Sequence, residues 1–152
     1  MTPNALPSEV AAVLGTIDPD ANTAGTVDSD YADLGLFESV MGIGMNGTVA
    51  NGGDLLYSII QATSAAGAGA KAITGKAATI FDSSPASGDS DKQVIINVRG
   101  EELDIANGFR YVALRLVTGG ATSDSGGVLL GFFPKHGPAD DNDLASVSEI
   151  VA

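Results

Sequence analysis

Between Lys92 and Phe133 apolar residues return with a period of two, in the segment KQVIINVRGEELDIANGFRYVALRLVTGGATSDSGGVLLGFF. In KQVIINVR, Val94, Ile96 and Val98 fall on one side and Gln93, Asn97 and Arg99 on the other, the alternation of a half-buried strand. RYVALRLV repeats the pattern with Val112, Leu114 and Leu116 directed inward. Asn107-Gly108 precedes this second run and Gly119-Gly120 follows it, so antiparallel strands joined by short turns are expected.

Upstream, the pattern predicts a short strand near Thr26–Asp28, a longer one over Phe37–Met45 and another over Leu55–Ala62, with turns at Asn46-Gly47 and Asn51-Gly52-Gly53. Thr63–Lys71 reads as a loop, Ala72–Phe81 as a strand or mixed segment, and Asp82–Asp91 as a polar loop. Residues 1–25 read as an N-terminal arm. In it Ser8 caps a short helix through Val10, Val13 and Leu14 that stops at Gly15, and a turn-rich stretch follows from Asp18. Pro134 and Pro138 close the strand region at residue 133 and open a C-terminal tail, 134–152. There Asn142 or Asp143 caps a last helical turn with Leu144, Val147 and Val151 on one face. A single turn is not stable alone, so it is expected to pack on something.

A chain of 152 residues supports one core rather than two. Trp is absent and aromatics are few, so that core is built from Val, Ile, Leu and Ala. Cys is absent as well, which excludes disulfides, thiolate metal sites and thiol nucleophiles. The N-terminus lacks the basic region of a secretory signal, and no run reaches membrane-spanning length. The net charge of −12, with seven bases in all, disfavours a nucleic-acid surface. Residues 1–70 hold eight acids and no base, 71–138 seven of each, and 139–152 four acids and no base. Acidic ends on a balanced middle suit either solvation or docking on a basic partner.

Candidate chemistry is thin. Gly42-Ile-Gly44-Met-Asn-Gly47 matches the spacing of a dinucleotide fingerprint, but a turn and a strand follow where a helix is needed, so close packing is the better account. Gly75-Lys76 lacks the first glycine and the Ser or Thr of a phosphate loop. Asp18, Asp20 and Asn22 alternate as in a calcium loop, yet Thr23 and Ser29 stand where Gly and Glu are required. Asp140-Asp141-Asn142-Asp143 is read in the same way, as a solvated acidic turn. His136 is the single imidazole and has no nucleophile motif to serve. Glu101, Glu102 and Asp104 are read as a solvated turn or as partners of Arg99, Arg110 or Arg115 rather than as a glycosidase pair. No catalytic, cofactor-binding or metal-binding residue is assigned.

The series GKAATIF, then DKQVIINVRGEELDIANGFRYVALRLVTGGATSDSGGVLLGFFPKHGPA, then DLASVSEIV resembles a group of small tailed-bacteriophage virion proteins connected with capsid decoration, or cement. The likeness covers Thr26–Val151. It implies an all-β fold, an antiparallel β-sandwich or jelly-roll-like domain over 26–133 with extended N- and C-terminal arms. It also implies a homo-oligomer, commonly a trimer, on the outer surface of the capsid, bound to the major capsid protein and carrying no cofactor. On that reading Val10, Val13 and Leu14 of the arm and Leu144, Val147 and Val151 of the tail are the partner-contact residues. The competing expectation is a tail or fibre module that binds a cell-surface carbohydrate. The absence of Trp and the presence of only Tyr31, Tyr57 and Tyr111 count against it.

Overall fold

The computed structural model describes residues 4–82, 89–140, 142–143 and 145–151. Among them a short helix, α1 (Pro7–Val10), leads into nine strands. These are β1 (Ala11–Asn22), β2 (Gly25–Asp28), β3 (Ala32–Asp33), β4 (Phe37–Val49), β5 (Gly53–Ala62), β6 (Lys71–Asp82), β7 (Gln93–Arg99), β8 (Tyr111–Gly119) and β9 (Ser123–Pro134). They form two antiparallel sheets, ordered β1-β9-β4-β7 and β2-β8-β5-β6, with β3 also paired to β8.

The pairing is that of one long hairpin with its tip between β5 and β6. Outward from the tip, β5 pairs β6, β4 pairs β7, β2 pairs β8 and β1 pairs β9. Rolling that hairpin up brings β9 against β4 and β8 against β5, which closes the two sheets. This is the double-sheet jelly roll. The strands of the Lys92–Phe133 ladder therefore do not pair with one another in sequence: β7 and β9 lie in one sheet and β8 in the other.

The inward positions carry the core, with Phe37, Val40, Tyr57, Leu114, Leu116 and Leu129 all fully buried. Ile96 and Val98 of β7 and Val112, Leu114 and Leu116 of β8 point into it, as the alternation requires. At the tight crossing after β8, Gly120 has φ +67°, and a Cβ there would overlap the carbonyl of Gly52. A left-handed residue without a side chain is needed at that point.

The expectation at the N-terminus is corrected. The N-terminal segment is not an arm throughout, because β1 is an integral strand hydrogen-bonded along β9. Its helix begins at Pro7 rather than behind Ser8, and the Glu9 carboxylate accepts the Leu6 N–H at 2.7 Å. It stops at Val10, because Ala12, Leu14 and Ile17 gain more from burial in the sandwich than from helical propensity. The tail lies along the free edge of β1 through Ala139, Asn142 and Asp143. Ala139 N–H donates to Glu9 C=O at 2.9 Å, Asp143 N–H to Val13 C=O at 2.7 Å, and Val13 N–H to Asn142 Oδ1 at 2.9 Å. Asp143 does cap a turn: its carboxylate accepts from the Ala145 N–H at 3.2 Å, while its backbone carbonyl accepts from the N–H groups of Ser146 and Val147. On the opposite side Lys76 of β6 donates to the Asn97 carbonyl of β7 at 2.8 Å. The tail thus covers part of the otherwise open edge of β1, and Lys76 ties β6 to β7 across the two sheets. The loop expected over Asp82–Asp91 falls, for residues 83–88, outside the described residues.

Candidate interaction surface

The central strands of the first sheet are built inside out. In Met41-Gly-Ile-Gly-Met45 of β4 the glycines face the core, where a Cβ on Gly42 would lie 3.0 Å from Leu114 and one on Gly44 2.4 Å from the Tyr57 ring. In β9, Gly127 and Gly131 are likewise pressed against Leu114 and Leu14. Because residues alternate between faces, the bulky neighbours Met41, Ile43, Met45, Val128, Leu130 and Phe132 are sent to the outer face.

Register aligns them into rows. One row runs Val13, Leu130, Met41, Asn97, and the next Thr16, Val128, Ile43, Ile95. A third runs Ala11, Phe132, Ser39, Arg99, and Met45 extends the surface past the second row. Most of these side chains are half-covered by their sheet neighbours, but Met45 is 45% and Ile95 61% exposed. An antiparallel sheet with one face in water normally alternates apolar-in with polar-out. Here the outer face is apolar too, and in the three rows Arg99 at a corner is the one charged residue. A contiguous apolar patch of this kind is a candidate interaction surface.

The second sheet contrasts with it. Its outer face carries the row Ser58, Arg115, Asp28, where Arg115 Nε and Nη2 donate to the Asp28 carboxylate at 2.6 and 2.8 Å, and the Tyr31 hydroxyl donates to the same carboxylate at 2.9 Å. Burial pushes the Asp28 carboxyl up, but the bonds from Arg115 and Tyr31 outweigh it and hold the group below its usual value.

The two ends of the sandwich also differ. At the end where β4 starts and β7 stops, a groove of about 770 Å³ runs between Leu103, Ile105 and Phe133, with Arg99, Arg110 and Lys135 on its walls. Phe133 has φ 57°, a strained setting for a bulky residue, and its ring is exposed beside the groove. Asp33 holds Arg110 through a forked ion pair whose Nε arm is 2.9 Å. At the far end an open depression of about 1,090 Å³ is lined by Asp18, Asp20, Asp91 and Asp124 without a base.

The sequence motifs resolve into structure. Gly42 and Gly44 pack against the facing sheet, as expected. Lys76 bridges β6 and β7 and pairs with Glu102 at 2.7 Å. The Asn22 amide N–H groups donate to the Ser125 carbonyl at 3.0 Å and to its hydroxyl at 2.9 Å. Among the described residues no group of three or more His, Asp or Glu is placed to hold a metal ion. Of the carboxylates of the Glu101–Asp104 turn, Glu101 pairs with Arg99 at 3.6 Å, as expected, and the other two are taken by bases the sequence did not suggest. Asp104 pairs with Lys71 and Glu102 with Lys76, while Arg110 and Arg115 hold Asp33 and Asp28.

The expected contact residues do not form one cluster. Leu14 is 7% exposed and belongs to the core, so it packs within its own chain. Val10 ends α1 half-buried, and Val147 is half-buried after the tail's turn. Val151 is 84% exposed, and Leu144 lies outside the described residues. Val13 alone stands in the apolar rows. The residues that make up that face were missed, although the alternation of Gly with Met, Ile, Val, Leu and Phe in MGIGM and GVLLGF is its signal. No protein-family model matches the chain, and no curated protein matches it by sequence.

Proposed function

We propose that this chain is a structural protein of a tailed-phage virion. It decorates the outer surface of the capsid as a homo-oligomer and stabilises the shell by bridging major capsid protein subunits, with no reaction catalysed. The observation that carries the reading is the largely apolar outer face of the β1-β9-β4-β7 sheet, in whose three rows Arg99 is the one charged residue. It lies on a jelly roll whose own core is already filled, so its apolar surface is available only to another protein. The resemblance of Thr26–Val151 to small virion proteins points the same way, and jelly rolls recur among capsid components. A ligand that binds only the assembled shell stabilises that shell by mass action, and many weak contacts repeated over a lattice add up. The exposed Ile150 and Val151, past the tail's anchor on β1, and the aspartates of the far end are further surfaces that can meet the shell.

Co-sedimentation with expanded capsids tests the proposal. Saturable binding at a fixed number of copies per particle is expected, and capsids that stay bare at saturating protein would overturn it.

The groove beside the exposed Phe133 ring supports a second reading, a carbohydrate-binding module. It is the weaker of the two, because Tyr57 is buried and Tyr31 is tied to Asp28, which leaves few rings to stack on a sugar.

A further inference from the structure

We propose that the Asn51-Gly52 turn is a site of spontaneous modification, at which the chain converts its own asparagine to aspartate and isoaspartate with water as the only co-reactant. The inference stands apart from the virion reading.

Three Asn-Gly pairs occur in the chain, at 46–47, 51–52 and 107–108. In such a pair the glycine nitrogen, after losing its proton to solvent base, attacks the asparagine Cγ. A bond forms between that nitrogen and Cγ and closes a succinimide ring, while the Cγ–Nδ2 bond breaks and the amide leaves as ammonia with a proton returned by solvent. Water then opens the ring. Cleavage between the nitrogen and Cγ gives aspartate, and cleavage between the nitrogen and the main-chain carbonyl carbon gives isoaspartate. Glycine has no Cβ to obstruct the ring in any of the pairs. What distinguishes them is how firmly the fold holds the reacting groups.

Two pairs are held. Asn46 is 7% exposed, its amide nitrogen donates to the Asp89 carbonyl at 2.9 Å, and its amide oxygen accepts from the Lys92 N–H at 3.2 Å. Asn107 is exposed, but its amide donates to the Asp104 carboxylate at 2.8 and 3.0 Å. The Gly108 N–H that would attack it donates to the Ile105 carbonyl at 2.9 Å. The third pair is not held. Asn51 and Gly52 lie exposed between β4 and β5, where Gly53 N–H donates to the Ala50 carbonyl at 2.7 Å. Asn51 keeps a negative φ and Gly52 has φ +80°, which makes this a type II turn, whose central N–H takes no part in the closing bond. Among the described residues neither the Gly52 N–H nor the Asn51 amide has a hydrogen-bond partner, and a Cβ on Gly52 would meet nothing within 4 Å.

The two products differ in what they do to the fold. The Gly52 carbonyl sits where a Cβ on Gly120 would overlap it, and a Cβ on Gly53 would lie 2.9 Å from Ser123 Oγ, so the turn is packed against the crossing from β8 to β9. Aspartate keeps the length of the main chain. Isoaspartate adds a carbon to it beside Gly52 and drives that carbonyl against Gly120. Either product adds a carboxylate to the end of the sandwich that already holds Asp18, Asp20, Asp91 and Asp124.

Peptide mapping by mass spectrometry tests the site, on the purified full chain aged in mildly alkaline buffer both folded and in urea. In the folded chain Asn51 is expected to convert at least ~10-fold faster than Asn46 or Asn107, since those two react only after local opening. In urea that spread is expected to collapse. Amide hydrogen exchange then compares the isolated isoaspartate form with Asn51→Asp, and the Gly53 N–H is expected to exchange faster in the former. An Asn51 that stays intact in the folded chain, conversion of Asn46 or Asn107 at an equal rate there, or an unchanged spread in urea would each overturn the site. Equal exchange at Gly53 in the two forms would overturn the effect assigned to isoaspartate.

Discussion

The Tyr57 ring occupies the space left by the absent side chain of Gly44: a Cβ on Gly44 would lie 2.4 Å from it. The phenol then reaches toward the facing sheet, and its single O–H is shared between the carbonyls of Met45 at 2.8 Å and Gly126 at 3.1 Å. Burial pushes its pKa up to about 12. This contact joins β5 of one sheet to β4 and β9 of the other, and it explains why β4 has no bulky inward residue at that point. Gly44→Ala forces the ring to move and is expected to destabilise by about 1–3 kcal/mol. Gly47→Ala, whose Cβ would rest 3.4 Å from Asp124, serves as the tolerated control in the same strand. Tyr57→Phe leaves the two carbonyls without this donor and is expected to cost about 1–3 kcal/mol. Urea titrations of the three variants check these values.

The neighbours Leu129 and Leu130 offer a direct comparison of the two faces. Leu129 is fully buried, and Leu129→Ala is expected to cost about 2–5 kcal/mol by leaving a cavity. Leu130 lies half-covered on the outer face, in the row with Val13 and Met41. Leu130→Ala is expected to cost less than about 1.5 kcal/mol in the dilute chain. Thermal unfolding at low concentration separates the two, and equal losses would mean that the outer face contributes to the fold like a core.

The Asp28–Arg115 pair gives acid sensitivity of known sign. The Asp28 carboxyl titrates below its ordinary value in the folded chain, whereas in the unfolded chain it returns to about 3.9. Between those values the unfolded state binds more protons, so stability rises with pH there. The contribution is complete above the unfolded value and is lost as pH falls through the folded one. Asp33, lowered by its bond from Arg110, acts in the same direction. In urea titrations as a function of pH, Asp28→Asn is expected to flatten the fall in stability below about pH 4. An unchanged acid limb would show that the pair does not couple to folding.

The tail's hold on β1 is testable at one amide. Asn142→Ala removes the acceptor of the Val13 N–H and is expected to cost about 0.5–1.5 kcal/mol. Hydrogen exchange at Val13 should accelerate correspondingly, while Val112, in the middle of the second sheet, should keep its protection. Equal acceleration at both sites would mean that the variant loosens the whole fold rather than the edge.

Strand identity was legible in the chain because alternation is local: Ile96, Val98, Leu114 and Leu116 each announce a face within a few residues. Pairing was not legible, since Ala11 finds Phe132 at the other end of the chain and nothing near either residue encodes the partner. The N-terminal segment misled for a related reason. Val10, Val13 and Leu14 fit a helical spacing, and only the long-range edge of β9 decides for a strand from Ala11 onward. The apolar outer face escaped notice because apolar residues on strands are ordinarily taken as core. In Met41-Gly-Ile-Gly-Met45 the core positions belong to the glycines, a fact that depends on Tyr57, Ile59 and Leu114 in the facing sheet filling the space.

Cryo-electron microscopy of expanded capsids incubated with the purified chain tests the central claim most directly. The account predicts jelly-roll density at symmetry-related positions on the outer surface, with the β1-β9-β4-β7 face of each copy covered by protein. Particles without added density at saturating chain, or bound copies whose apolar face stands open to solvent, would contradict it.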